Sequence, residues 1–218
     1  MHEFDYSSEN WNIYDYGYFS FIYNSETLNK IPSSFEELIS QEDIKIVVQD
    51  PRTSPVGMGL LRWMKLTHPN NFPTILKEFN NKVLTYTPGW SEAYGIFLEG
   101  KADLVLSYST SPFYHQEYED EYKYKAIEFA GGHLVTKEIV YVRPDSEQQK
   151  LGREFVEFMV RDDIQKIIAQ MNIMYPAIEN VNNIPDKMRK LKKPKEIQYD
   201  DFLEADPLIK IWLEVASS

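Results

Sequence analysis

Apolar residues along this 218-residue chain follow two periods that alternate with one another. Residues 16–23 (YGYFSFIY) form a nearly unbroken aromatic run, which predicts a strand buried on both faces. Residues 44–48 (IKIVV) predict a second, compact strand. The following Asp50-Pro51-Arg52-Thr53-Ser54-Pro55 reads as a turn into a helix, with Pro55 in the first helical turn. In that helix Leu60, Leu61 and Met64, with Trp63 beside them, are spaced for one apolar face. Residues 72–79 repeat the helical spacing, and 83–86 predict a short strand running into Pro88-Gly89. Residues 92–99 predict a helix with Trp90 just ahead of it, Ser91 as N-cap and Gly100 as the stop, because glycine takes a positive φ without strain. An apolar strand over 102–108 comes next, closed by Ser109-Thr110-Ser111-Pro112.

The flanks are less regular. Residues 1–12 show little pattern, and 24–31 read as a loop. Ser33-x-x-Glu36 is the pattern of a capping box for a short helix over 35–40. Residues 116–124 read as an acidic, tyrosine-rich loop whose charges face water. Strand character resumes over 126–129, breaks at Gly131-Gly132 and returns over 134–142. Ser146-x-x-Gln149 predicts another capping box, opening a helix with Leu151, Phe155, Phe158 and Met159 at i, i+4, i+7 and i+8. A break near Arg161 precedes a further helix from Asp162 to about Ala169. The tail beyond Pro176 is punctuated by Pro185, Pro194 and Pro207, carries a basic segment over 187–195, and ends in a helix over 208–215 that offers Ile211, Leu213 and Val215 for docking. Strands alternating with helices predict an α/β fold.

Composition narrows the function classes. An apolar fraction of 43% suffices for a core, while a mean hydropathy of -0.46 and the lack of any long apolar run exclude a membrane-spanning helix in this stretch. A net charge of -11 argues against nucleic acid and anionic membrane surfaces; it either favours a cationic ligand or basic partner or serves solubility alone. The chain has no cysteine, which removes disulfides, thiolate zinc sites and thiol nucleophiles together. His2, His68, His115 and His133 show no metal-binding spacing, and no Gly-x-Ser-x-Gly elbow is present. Neither an enzyme nor a cofactor is expected. The first ten residues, MHEFDYSSEN, have neither the basic nor the apolar region of an export signal.

Two stretches carry candidate binding chemistry. Trp90, Tyr108 and Tyr114 fall at the ends of adjacent elements, where open α/β sheets bind small ligands. They read either as an aromatic box, able to stack on a flat heterocycle and attract a cation, or as core and rim aromatics. Residues 50–59 offer the Thr53 and Ser54 hydroxyls and free N–H groups at a helix N-terminus, suited to an anion or polar ligand tail, or else an ordinary capped turn.

The segments 14–23 (YDYGYFSFIY), 49–61 (QDPRTSPVGMGLL), 89–114, 155–160 (FVEFMV) and Met174-Tyr175-Pro176 together resemble the periplasmic thiamine-binding proteins of bacterial thiamine ABC importers. The resemblance runs from about Tyr14 to Ala177, and GWSEAY with DLVLSYSTSP is its most specific part. It implies a periplasmic-binding-protein-like lobe of the type II substrate-binding fold, N-terminally truncated because the first lobe is expected ahead of Tyr14. The implied division is 1–23 as a residual first-lobe or hinge segment, 24–130 as the ligand-binding lobe, and 131–218 as a return strand with helices that pack on the first lobe. The implied ligand is thiamine or its phosphates, enclosed by Trp90, Tyr108 and Tyr114, with Ser54 and neighbouring N–H groups at the hydroxyethyl or phosphate end. The implied partners are a membrane permease and its ATPase, and the implied location is the periplasm. Where the family carries Trp in Asn-Trp-Met-Tyr-Pro, this chain has Ile173, which packs but supplies no cation–π attraction. The alternatives are a binding protein for another small cation such as ferric ion, and a remnant without function.

Overall fold

The computed structural model describes residues 9–180, 182–198 and 203–216. Strand β1 (Trp11–Asn24) is longer than the aromatic run alone predicts, and Trp11 and Asn12 belong to it. It is followed by α1 (Phe35–Ser40), β2 (Ile46–Gln49), α2 (Pro55–Thr67), α3 (Phe72–Asn80), β3 (Val83–Thr87), α4 (Trp90–Leu98) and β4 (Leu104–Tyr108). Then come α5 (Ser111–Tyr118), β5 (Tyr124–Ala126), β6 (Val135–Tyr141), α6 (Gln149–Met159), α7 (Asp162–Met171), β7 (Tyr175–Pro176), α8 (Asp186–Arg189) and α9 (Ala205–Ala216).

The long strand organises the sheet by changing partners halfway. From Phe19 to Tyr23 it runs antiparallel to β4, and from Ile22 to Asn24 antiparallel to β5. Beyond β4, strands β2 and β3 continue the sheet in parallel, giving the order β3-β2-β4-β1-β5. The earlier half of β1, Trp11 to Tyr18, pairs with β6, and Asp15 and Tyr16 also pair with β7.

Side-chain alternation on these strands explains the layers. Phe19, Phe21, Ile46, Val48, Leu104 and Leu106 face one core, shared with α1, α2, α3 and α9. Ile22, Val47 and Val105 face the other side and pack on Ala93, Tyr94 and Phe97 of α4. The first core is aromatic. Trp63 is fully buried, lies 4.9 Å from Phe35 and 5.1 Å from Phe129, and donates its indole N–H to the Gly132 carbonyl at 3.0 Å. His133 completes it: the Phe129 N–H donates to Nε2 at 2.8 Å, so Nδ1 carries the ring proton and donates to the Phe19 carbonyl at 2.7 Å. Burial holds its pKa below the usual imidazole value. This histidine is structural.

Several local expectations shift for identifiable reasons. The helix α1 cap moves by one residue: Ser34 is the N-cap and accepts from Glu37 N–H, while Glu37 accepts from the Ser33 N–H and hydroxyl. The box expected at Ser146 does not form, because the Ser146 hydroxyl accepts from Gln148 N–H and Gln149 turns back to the Arg143 carbonyl. Helix α9 buries Val215 as expected, with Leu208 and Trp212 beside it, while Ile211 is partly buried against the same core and Leu213 is exposed. Its apolar residues join the core formed by α2 and α3. That part of 131–218 therefore packs on the 24–130 unit, in contrast to the expected division. The basic segment is largely neutralised within the chain: Lys187, Lys192 and Lys193 pair with Glu117, Glu128 and Glu179.

Candidate functional site

Helix α4 begins at Trp90 itself, with Gly89 extended at the N-cap position and making no side-chain cap. Ser91 is therefore inside the helix, not its cap. The consequence is that Trp90 and Tyr94 stand one turn apart on one face, and their rings stack at 4.6 Å with an interplanar angle of 26°. The Trp90 indole N–H donates to the Ser107 hydroxyl at 2.7 Å, which in turn lies 2.7 Å from the Ser111 hydroxyl. These contacts hold the indole from one edge and one face, and Trp90 remains 40% exposed.

The stretch after β4 folds as helix α5, where only turn residues and then an acidic loop were expected. Pro112 in its first turn is the signal for that start, since proline there forfeits no helical hydrogen bond. The helix brings Tyr114 and Tyr118 together one turn apart, with ring centroids at 5.5 Å. It also buries His115 between the Tyr94 hydroxyl, 2.9 Å from Nε2, and the Glu119 carboxylate, 2.6 Å from Nδ1. The His115 and Tyr94 rings stack at 5.7 Å. The Tyr118 hydroxyl donates to the Gln170 carbonyl at 2.8 Å and ties α5 to the end of α7.

These elements enclose a cavity of about 620 Å³, within the range of small-molecule sites. Trp90, Tyr94, Tyr108, Tyr114 and Tyr118 give it aromatic walls, and Gln170, Met171, Asn172 and Ile173 close one side. Tyr108 stacks on Phe19 at 5.6 Å. Burial first, then the Glu138 and Asp15 charges, push its phenol pKa well up. Burial likewise pushes up Tyr94, so both phenols stay neutral at physiological pH. Ile173 holds a φ of 58°. A β-branched residue in that region is strained, and it sits on the cavity wall.

Three of the four expected site residues, Trp90, Tyr108 and Tyr114, thus line one cavity. Ser54 does not. It is buried as the N-cap of α2, and its hydroxyl accepts from the Val56 N–H at 3.2 Å. Sequence reasoning missed Tyr94, Tyr118, His115 and Asn172. The four-residue spacings Trp90/Tyr94 and Tyr114/Tyr118 carry the signal for the two tyrosines once both segments are read as helices. Asn172 and His115 give none. Among the described residues no group of three or more His, Cys, Asp or Glu is arranged to hold a metal ion, and no helix is long and apolar enough to cross a membrane.

A clamp of aromatic rings beside the ends of an α/β sheet is the arrangement of a solute-binding lobe. Residues 1–205 match the family described as bacterial extracellular solute-binding protein, and the chain belongs to that family. It is 42% identical over 182 residues to the thiamine-binding periplasmic protein of Escherichia coli strain K12, covering 83% of this chain and 55% of that protein. It is 39% identical over 184 residues to the protein of the same name from Brucella melitensis, covering 84% and 55%. The chain therefore spans about half the length of these relatives. Among solved structures, a periplasmic thiamin binding protein superposes with a TM-score of 0.89 at 35% identity, covering 98% of this chain and 68% of that one. A ferric binding protein from Campylobacter jejuni shares the fold, with a TM-score of 0.75 at 20% identity.

Proposed function

We propose that this chain is the cavity-bearing part of the substrate-binding component of an ABC importer, and that its ligand is thiamine or a thiamine phosphate. The observation that carries the reading is the cavity itself. Five aromatic side chains line it, and three of them, Trp90, Tyr114 and Tyr118, are well exposed. Such a surface stacks on a flat heterocycle and attracts its positive charge, at about 0.5–2 kcal/mol per ring depending on how dry the contact is. The names of the relatives support the same ligand. On this reading the protein works in the periplasm, hands its ligand to a permease driven by an ATPase, and performs no chemistry.

Ferric ion fits less well. It needs several phenolate oxygens at one point, whereas burial and neighbouring carboxylates hold Tyr94 and Tyr108 as neutral phenols. Tryptophan fluorescence titrations with thiamine, thiamine monophosphate and ferric citrate test the assignment. Saturable quenching by the thiamine compounds alone is expected. Quenching with a charge-transfer colour on adding iron, and none with thiamine, overturns it.

A further inference from the structure

Asp15 is the only acidic residue fully buried among the described residues. In the β1–β6 ladder it stands directly opposite Glu138, and like charges at such a pair repel. A single amide bridges them: Asn172 Nδ2 donates to Asp15 Oδ2 at 2.6 Å and to Glu138 Oε2 at 3.2 Å. The Tyr14 hydroxyl also donates to Glu138 Oε2, at 2.5 Å. Asp15 Oδ1 is buried with no hydrogen-bond partner. The influences on Asp15 are burial, which dominates, the Asn172 hydrogen bond and the Glu138 charge; no cation is among them. Its carboxyl is consequently pushed up to about 7.

The pair lies behind the wall of the cavity. Asn172 and Tyr108 both line that cavity; the first touches both carboxylates, and the second feels both charges. A Cβ at Gly17 would meet Met174 Cε at 2.7 Å, so its bare backbone lets Met174 lie against β1, with Tyr108 Cδ1 at an ordinary contact distance of 3.5 Å from that point. The other groups around Asp15 supply no compensating charge. Strand β7 presents Pro176 opposite it. Lys137 of β6 pairs with Tyr16, whose side chain points to the other face. Helix α7 presents Gln165 to the Tyr14 carbonyl, and α6 presents Arg153 to Asn10 at the start of the strand.

We propose that Asp15 and Glu138 are the counter-charge for a cation held in the aromatic cavity, and that loading the cavity ionises Asp15 and sends its proton to solvent. This rests on the cationic-ligand reading above. An aromatic wall attracts a cation but leaves its charge unneutralised; an ionised carboxylate one side chain deeper supplies the opposite charge in a poorly solvated setting. Occupation then favours the ionised form of Asp15, so cation affinity rises with pH through about 7.

The test is calorimetry of this chain with two probe pairs, thiamine against neutral thiochrome and 1-methylnicotinamide against neutral nicotinamide, in two buffers of different ionisation heat. For the cations the expected result is release of on the order of one proton near neutral pH, and binding roughly tenfold tighter at pH 8 than at pH 5.5. The neutral partners show neither effect. Asp15→Asn removes the proton release and flattens the pH profile of cation binding, and Glu138→Gln weakens the cations selectively; binding of the neutral probes reports that each variant retains a folded cavity. If 1-methylnicotinamide shows this pattern and thiamine does not bind, the thiamine assignment falls and the counter-charge stands. Cations that bind no better than their neutral partners, or without buffer-dependent heat, overturn the inference, as does an absence of binding by every probe at millimolar concentration.

Discussion

Helices α2 and α6 carry the same kind of amphipathic pattern and meet opposite fates. Helix α2 hides Leu60, Leu61, Trp63 and Met64 against the sheet and α3. Helix α6 buries Val156 alone, while Leu151, Phe155 and Phe158 stay exposed, Phe155 at 52%. Ile167 and Met171 of α7 are exposed as well. What local order the open face has comes from itself: Phe155 stacks on Phe158 at 6.0 Å, and the Arg161 guanidinium lies 5.5 Å from the Phe158 ring. An amphipathic helix specifies a face that must be covered, and the neighbours decide whether it is. An apolar face of this extent marks a surface for association. The cavity and the Asp15–Glu138 pair both lie toward the open side, where Met171, Asn172 and Ile173 end α7. In the closed half side chains serve packing; in the open half their value depends on what is bound.

The sharpest way to break this contrast is to cut a side chain from each half. Trp63→Ala removes a fully buried ring and its hydrogen bond to Gly132, and the loss expected in urea unfolding is about 3–5 kcal/mol. Leu151→Ala on the exposed face is expected to stay within about 0.5 kcal/mol. Equal losses would contradict the division.

Asp15 gives the next effect, and its sign is opposite. An unfolded aspartate titrates near 3.8 and the folded one near 7. Between these values the native state holds a proton that the unfolded chain has lost, so Asp15 costs stability as pH rises through this window, up to about 4 kcal/mol above it. Asp15→Asn is therefore expected to stabilise the ligand-free protein at pH 8 and to have little effect at pH 4. Urea midpoints at the two pH values check this, and a variant less stable at pH 8 would contradict it.

Smaller effects follow at the cavity and the face. Trp90→Ala removes an exposed ring that stacks on Tyr94, and a loss of about 1–2 kcal/mol in thiamine affinity is expected, roughly tenfold, with little change in stability. Phe155→Ser combined with Phe158→Ser is expected to leave the unfolding midpoint nearly unchanged while reducing self-association in sedimentation velocity. Unchanged association would place the sticky surface elsewhere.

Much of this was legible beforehand, for physical reasons that differ by element. The buried strands announce themselves through continuous apolar runs, and the Pro55 helix through its proline and spacing. Helix α5 was hidden because SPFYHQEY has no apolar face; it is held by His115, Phe113 and the proline start. The cap at α4 was misplaced because serine is the stronger sequence signal, yet Gly89 takes the extended conformation and Trp90 opens the helix. In the site, Trp90, Tyr108 and Tyr114 stood out as aromatics at element ends. Ser54 stood out equally; it caps α2 and does not line this cavity. Asp15, Glu138 and Asn172 come from three distant points of the chain, and only the register of β1 with β6 and the end of α7 brings them together.

We infer that the cavity between α4, α5 and the end of α7 holds a heteroaromatic cation. Isothermal titration calorimetry of the chain with thiamine tests it most directly, run beside Trp90→Ala. Saturable binding that weakens roughly tenfold in the variant is expected. No heat of binding at millimolar thiamine, or equal binding by the variant, would contradict it.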